Sequence, residues 1–318
     1  MSRSRTSVEP VRPAGRLPVP RLTTTVPREF VHRAAVAEVL LTGWRRLGEN
    51  RFAVSAQWPR GHSFFTPVLG TQHDPMLIAE TVRQVGSLLS HAEFGVPLDY
   101  RFVMWHLDYR SHPEHLAVGW SPAELELLVD CSRIRWHGDS FAGMHYDVVI
   151  RRDGAVAATG SASLSCTSPK VYRRLRGARQ VRPPADLGSP VYPRHVGRAS
   201  AFDVVLSTAD GAAPPGRWRL RADVRHPILF DHPVDHIPGM VLLEAARQAV
   251  LALDPAAPVC PVALSSSFHR YAELSSPCWI EAERGPADAS GACDTRVTGR
   301  QDGELLFSCA ITSMRRSE

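Results

Sequence analysis

Two stretches of this 318-residue chain place a carboxylate, a guanidinium and an amide at helical spacing inside an apolar run. In FDHPVDHIPGMVLLEAARQAVLAL, Phe230 to Leu253, Glu244 has Leu242, Leu243, Ala245 and Ala246 around it, with Arg247 and Gln248 one turn on. In HDPMLIAETVRQVGSLLSHA, His73 to Ala92, the residues Glu80, Arg83 and Gln84 repeat that order. A charge buried among such neighbours persists only if it is paired or put to use. Burial would raise the pKa of Glu244 and the nearby Arg247 would lower it. An ionised glutamate held by arginine could orient a group or accept a hydroxyl proton, whereas a more isolated one would act as an acid. A structural ion pair closing a domain interface is the third reading.

Both stretches carry a histidine and a proline just upstream and a methionine four residues before the glutamate. His232 and His236 precede Glu244, and His73 precedes Glu80, each in the turn ahead of a helix, where a side chain can project toward a cleft or simply cap the turn. His32 and His195 carry less signal. Arg270, in SSFHRYAEL, is a candidate anion contact or a solvated strand residue. The chain contains no G-x-S-x-G elbow, no Gly-rich dinucleotide fingerprint, no Walker A and no H-E-x-x-H. Its histidines are scattered and its six cysteines form no C-x-x-C pair, so neither metal ligands nor a thiol nucleophile can be nominated, and the cysteines are expected to be reduced.

The elements that must position these groups come as two copies of one order. Asp74 can cap a helix that starts at Pro75 and runs to about Glu93. It is followed by strands over Phe102–Tyr109, Leu125–Cys131, Met144–Arg151 and Ala155–Leu164, the last two joined at Asp153-Gly154. In the second half, VHRAAVAEVLLT (from Val31) is echoed by HVGRASAFDVVLS (His195 to Ser207). A helix over Gly239–Leu253 follows, then strands over Val262–Leu274, Trp279–Glu283, Thr295–Thr298 and Leu305–Met314. Asp302-Gly303 occupies the earlier Asp153-Gly154 turn. The expected class is α+β, with one long enclosed helix against an antiparallel sheet in each half. The boundaries are an irregular leader over 1–27, a first domain over 28–166, an arginine- and proline-rich linker over 167–193 and a second domain over 194–315.

Composition sets limits. Hydrophobic residues make up 44% and charged residues 22% of the chain, enough for a sizeable core. No apolar run reaches membrane-spanning length and the N-terminus has no apolar signal core, so a cytoplasmic protein without a membrane partner is expected. The net charge of +5 is carried almost wholly by arginine, Lys170 being the sole lysine. No helix carries a basic stripe and no aromatics interleave with the arginines, which argues against nucleic acid. One lysine also leaves little scope for Schiff-base chemistry.

DHPVDHIPGMVLLEAARQ resembles the H-F-P…P-G-V-L-x-x-E-A-x-x-Q segment of the beta-hydroxyacyl-ACP dehydratases. Pro238-Gly239 and Glu244-Ala245 match it, and His232 stands for its histidine in a segment two residues shorter. VHRAAVAEVLLT, HDPMLIAETVRQ, HVGRASAFDVVLS and FDHPVDHIPGMVLLEAARQ together resemble more closely the A-factor biosynthesis family, the gamma-butyrolactone synthases of actinomycetes, from Val31 to Met314. That resemblance implies a tandem (double) hot-dog fold forming an internal pseudo-dimer, without excluding a homo-oligomer. It also implies a quorum-sensing role in secondary metabolism, with transfer of a beta-ketoacyl group from acyl carrier protein to the hydroxyl of dihydroxyacetone phosphate. No cofactor is implied beyond the phosphopantetheine that carries the acyl group. On this view Glu244, Arg247, His232 and Glu80 are the candidate catalytic residues, with the Glu244 copy as the working one. Arg83, His73, His236, Gly239 and Arg270 are the candidate substrate contacts, Arg83 or Arg247 taking the phosphate and the helix-start amides the oxyanion. A dehydratase or thioesterase on the same fold, or a non-catalytic acyl- or lactone-binding regulator, are the competing readings.

Overall fold

The computed structural model describes residues 22–66, 70–177, 184, 186–208, 214–256 and 259–315. The leader expected over 1–27 falls mostly outside them. Two helices of similar make-up dominate: α1 (Met76–Ala92) and α3 (Gly239–Ala252). Between them lies the shorter α2 (Pro169–Arg176). The first half supplies β1 (Leu41–Arg46), β2 (Arg51–Trp58), β3 (Arg101–Ser111), β4 (Ala123–His137), β5 (Ser140–Arg152) and β6 (Ala155–Thr167). The second supplies β7 (Leu206–Ser207), β8 (Arg217–Leu220), β9 (Val259–Phe268), β10 (Cys278–Ala287), β11 (Cys293–Gln301) and β12 (Glu304–Arg315).

Among the described residues the twelve strands form one sheet in the order β1-β2-β4-β5-β6-β3-β9-β12-β11-β10-β8-β7. Read from either end the pattern is the same, so the halves are related by a pseudo-twofold at the antiparallel β3–β9 junction, where Asp108 stands opposite Ser265. This is a tandem hot-dog: each half wraps its own helix, and the sheet runs unbroken through both. The strands alternate as half-buried strands must, with β2 reading exposed at Arg51 and Ser55 and buried at Phe52, Val54, Ala56 and Trp58. The two Asp-Gly hairpins form as expected: Asp153 and Asp302 have φ of 50° and 51° and the glycines after them 80°, the doubly positive turn that suits a strand's twist.

Both helices are buried on nearly every face, because each packs against the strands of its own half and the short 3-10 segment that opens that half. Asp74 accepts a hydrogen bond from the Met76 amide at 2.9 Å and so caps α1 as expected. The stretch read as an interdomain linker over 167–193 begins with α2, capped by Ser168. Three arginines of that arginine-rich stretch lie in the helix, and one of them, Arg176, is buried. It ion-pairs with Glu273 at 2.7 Å and Asp235 at 3.2 Å, which fastens the crossing segment to the second half. That pairing involves residues far apart in sequence, which composition could not reveal. Cys131, Cys166, Cys278, Cys293 and Cys309 are free thiols.

Close helix–sheet approach depends on glycine at two facing points. A Cβ on Gly86 of α1 would lie 2.3 Å from Tyr146 Oη, and one on Gly160 of β6 would lie 2.6 Å from Val82 Cγ2. Tyr146 cannot swing away freely, since its hydroxyl donates to the Val82 carbonyl at 2.9 Å inside the core. Gly86→Ala gains about 1 kcal/mol in helix propensity but incurs overpacking of about 1–3 kcal/mol. The expected outcome is a net loss of about 1 kcal/mol in urea denaturation, and a stabilised variant would contradict this packing.

Candidate functional site

Each helix holds its glutamate in the same cage. Glu244 is fully buried and accepts from Arg247 at 2.8 and 2.7 Å, from Gln248 at 2.6 Å and from Arg198 at 2.9 Å. Glu80 accepts from Arg83 at 2.9 and 2.7 Å, from Gln84 at 2.7 Å and from Arg33 at 3.0 Å. In each cage the glutamine also ties down the segment before the half's first strand, Leu40 and Glu38 in one case and Val205 and Asp203 in the other. Burial pushes both carboxyls up, but the paired guanidiniums override it and hold each at about 2. Both glutamates are therefore ionised acceptors, which removes the isolated-acid reading.

The second arginine of each cage reaches across the pseudo-twofold. Arg33 donates to the Ile228 carbonyl of the other half at 3.0 Å, and the Asp231 carboxylate there accepts the amides of Ala34 and Ala35. Arg198 donates to the Phe64 carbonyl, pairs with Asp74 at 3.2 Å and stacks on the Phe64 ring at 4.0 Å. The loops that receive them are shaped alike. His62 Nδ1 accepts the amides of Phe64 and Phe65, as His226 Nδ1 accepts those of Ile228 and Leu229. None of Arg33, Arg198, His62 or His226 was singled out from the sequence. The available signal was their matched place in the two halves, with Arg33 and Arg198 in the repeated blocks that open each domain.

The two cages differ in what lies beside them. A cavity of about 360 Å³ opens between the halves next to the first cage, within the usual size range of small-molecule sites. Arg33 and Arg83 line it from the first half, with His32, Arg101, Phe102 and Met104. From the second half come Ile228 to His232, the start of α3 at Gly239 and Met240, Phe268, and the rim residues His269 and Arg270. Of the residues expected to form a site, the cavity gathers His232, Arg83, His236, Gly239 and Arg270. Glu80 lies directly behind Arg83 and does not reach the surface. Glu244 and Arg247 line no part of it, and their neighbour Arg198 is as deeply buried. Tyr109, whose buried hydroxyl senses the charges of Asp74 and Arg247, sits beside the second cage. His73 is buried against Trp58, away from the cavity, and burial lowers its pKa to about 4.

Within the cavity the groups are held in set ways. His236 Nδ1 lies 2.7 Å from Asp235, and its ring meets Tyr271 edge-on. His232 is half exposed beside Asp231. Arg270 pairs with Glu304 at 3.2 Å on the exposed rim. Gly239 packs against Phe268, where a Cβ would lie 3.2 Å from the ring, so the helix start sits low over the cavity wall. Arg83 uses Nε and Nη2 on Glu80 and on the Val31 carbonyl, which leaves Nη1 with no hydrogen-bond partner among the described residues. Among those residues no cluster of three or more His, Cys, Asp or Glu could hold a metal ion, and no helix is long and apolar enough to cross a membrane.

The family model described as the A-factor biosynthesis hotdog domain matches residues 17–168 and again 180–315. The chain belongs to that family. A Streptomyces virginiae protein named 2-oxo-3-(phosphooxy)propyl 3-oxoalkanoate synthase is 56% identical over 301 residues, covering 93% of this chain and all of the relative. A Streptomyces coelicolor protein of the same name is 46% identical, covering 90% of this chain and 91% of its own. Among solved structures, an oleoyl thioesterase (putative) from Lactobacillus plantarum aligns with a TM-score of 0.53 at 12% identity. It covers 86% of this chain and all of that one. A 12:0-ACP thioesterase from Umbellularia californica aligns at 0.51 and 10% identity, covering 83% and 94%. At such identities the last two bear on the fold alone.

Removing one partner from a sealed cage leaves charges uncompensated. Glu244→Gln is expected to lower unfolding free energy by about 3–5 kcal/mol, measured by denaturant titration. Because both glutamates have folded pKa values below their ordinary 4.5, their stabilising contribution is full above that pH and is lost as pH falls toward about 2. Acid unfolding of the wild type should therefore steepen below about pH 4.5, and a variant lacking Glu244 should show a shallower acid limb.

Proposed function

We propose that this protein joins a beta-ketoacyl group, delivered as a thioester on acyl carrier protein, to the hydroxyl of dihydroxyacetone phosphate in gamma-butyrolactone signal biosynthesis. The observation that carries this reading is the make-up of the interdomain cavity. Its lining combines the apolar side chains of Phe102, Met104, Leu229, Phe230 and Phe268 with Arg83, Arg101 and the start of α3. A beta-ketoacyl chain suits the first, a phosphate the second and a developing oxyanion the third. The relatives' name, an ester of a 3-oxoalkanoate with a phosphooxy-oxopropyl group, describes the product of that pairing.

In this reading Arg83 Nη1 and Arg101 bind the phosphate, with Glu80 holding Arg83 in place. The amides of Gly239 and Met240 stabilise the oxygen of the tetrahedral intermediate, and His232, His236 and Arg270 lie along the route by which the carrier's arm would enter. The working copy is thus the first, not the Glu244 copy that the sequence favoured. Glu244, Arg247 and Arg198 serve to lock the halves together. The acyl carrier and the phosphorylated triose place the reaction in the cytoplasm.

Incubation with a beta-ketoacyl thioester, with and without dihydroxyacetone phosphate, should yield a phosphate-containing ester or butenolide only when both are present, read by mass. Free acid would indicate a thioesterase and an enoyl thioester a dehydratase. Arg83→Gln should raise KM for dihydroxyacetone phosphate by about 10- to 100-fold, the worth of a charged hydrogen bond to phosphate, while Arg83→Lys should lose less. An unchanged KM in a folded Arg83→Gln enzyme would move the phosphate elsewhere.

A further inference from the structure

The two halves differ at one position where backbone geometry makes the difference informative. Val31-His32-Arg33-Ala34 and Val196-Gly197-Arg198-Ala199 are matched segments, each carrying the second arginine of its cage. Both middle residues adopt the left-handed conformation, Gly197 at φ 67° and ψ 31°, His32 at φ 52° and ψ 52°. Glycine is the ordinary occupant of such a site, and a side chain kept there is disfavoured locally. At Gly197 a Cβ would lie 3.0 Å from Leu251 and 3.3 Å from Arg247, so the sealed copy has little room for one. In the copy beside the cavity the position bears an imidazole, and that imidazole lines the cavity.

Its hydrogen bonds determine where its proton sits. His91 Nδ1 lies 2.7 Å from the Val96 carbonyl oxygen, which can only accept, so His91 carries its proton on Nδ1. His91 Nε2 is then an acceptor. It lies 2.7 Å from His32 Nε2, and the proton in that contact must belong to His32. His32 is therefore protonated on Nε2 and keeps a lone pair on Nδ1, for which no described residue supplies a partner. Phe102, edge-on at 4.7 Å, braces the ring. The groups that bear on it electrostatically are His91 and Arg83 of α1, Arg101 of β3 and His232 of the loop before α3. Burial first, and then these groups, disfavour the imidazolium, giving a pKa of about 3, so the lone pair is present throughout the neutral range.

We infer that His32 is the general base of the acyl transfer, taking the hydroxyl proton of dihydroxyacetone phosphate on Nδ1, and that His91 is the positioning residue that sets its tautomer. The inference rests on the reading of the preceding section. As the hydroxyl oxygen attacks the thioester carbonyl, a C–O bond forms and the O–H proton passes to Nδ1. Collapse of the tetrahedral intermediate breaks the C–S bond, and the same proton leaves Nδ1 for the departing thiolate, returning His32 to its starting state. A substrate phosphate on Arg83 and Arg101 offsets the repulsion those two guanidiniums exert on the imidazolium, while the larger effect of burial remains.

The test uses His32→Gly, the residue the matched position already carries. Its kcat should fall about 100- to 10,000-fold, the usual worth of a general base, with KM for both substrates nearly unchanged and thermal stability kept. Added imidazole should restore part of the rate, which a purely structural role would not allow. His91→Phe should lower kcat less, and His91→Gln, which restores an acceptor for His32 Nε2–H, should recover part of it. Nitrogen-15 spectra of the wild type should show His32 protonated on Nε2 and bare on Nδ1. Full turnover by His32→Gly, loss without imidazole rescue, or the opposite tautomer would overturn the assignment. If the wild type released only free acid, the acceptor alcohol would be wrong. His32 would then be judged by the same loss and rescue with water as nucleophile.

Discussion

A carboxylate sealed inside a helix bundle or sheet must be neutralised where it stands, and this molecule meets that demand twice. Glu80 and Glu244 each gather two guanidiniums and a glutamine amide. The arrangement is costly to assemble from water and far costlier to leave half-made, so it specifies one geometry. Because one arginine of each cage also holds a carbonyl of the opposite half, the same demand docks the two halves together. The β3–β9 pairing then carries the sheet across the junction without an edge.

Duplication gives two equivalent positions for a site, and small differences decide their fates. Around Glu244 the space is taken by Arg198 stacked on Phe64, with Tyr109 nearby. Around Glu80 the matched arginine remains, but a cavity opens between Arg83 and the start of α3. A buried ion cluster thus serves as scaffold in both copies, while among the described residues it is Arg83 of the first that lines the interdomain cavity. In the proposed site Arg83 also belongs to the cage, so holding it rigid requires no further contacts. The crossing helix α2 adds to the same side: Tyr172 lines the cavity and donates to Asp235, the partner of His236.

The helices, the strand alternation, the Asp-Gly hairpins and the duplication were legible because they rest on local spacing, periods of 3.6 and 2.0 that neighbours in sequence declare. The helix in 169–176 was not, because its arginine-rich composition reads as solvated until Glu273 and Asp235 are brought to it. The glutamate cages were half legible. Arg83 and Arg247 lie one turn from their partners, but Arg33 and Arg198 lie nearly fifty residues away, and only the repeat marked them.

By itself the sequence determined that there are two sheet-wrapped helices, that each buries a Glu-x-x-Arg-Gln set, and which family the blocks resemble. Which copy faces a cavity was decided only by tertiary structure. That outcome depends on whether space between the halves is filled, a sum over side chains such as Tyr109 and Phe64 of the first half and Phe268 of the second. His32 shows the same limit. Its neighbours in sequence make it an unremarkable histidine in a turn, and only the approach of His91 and the left-handed backbone give its lone pair a direction.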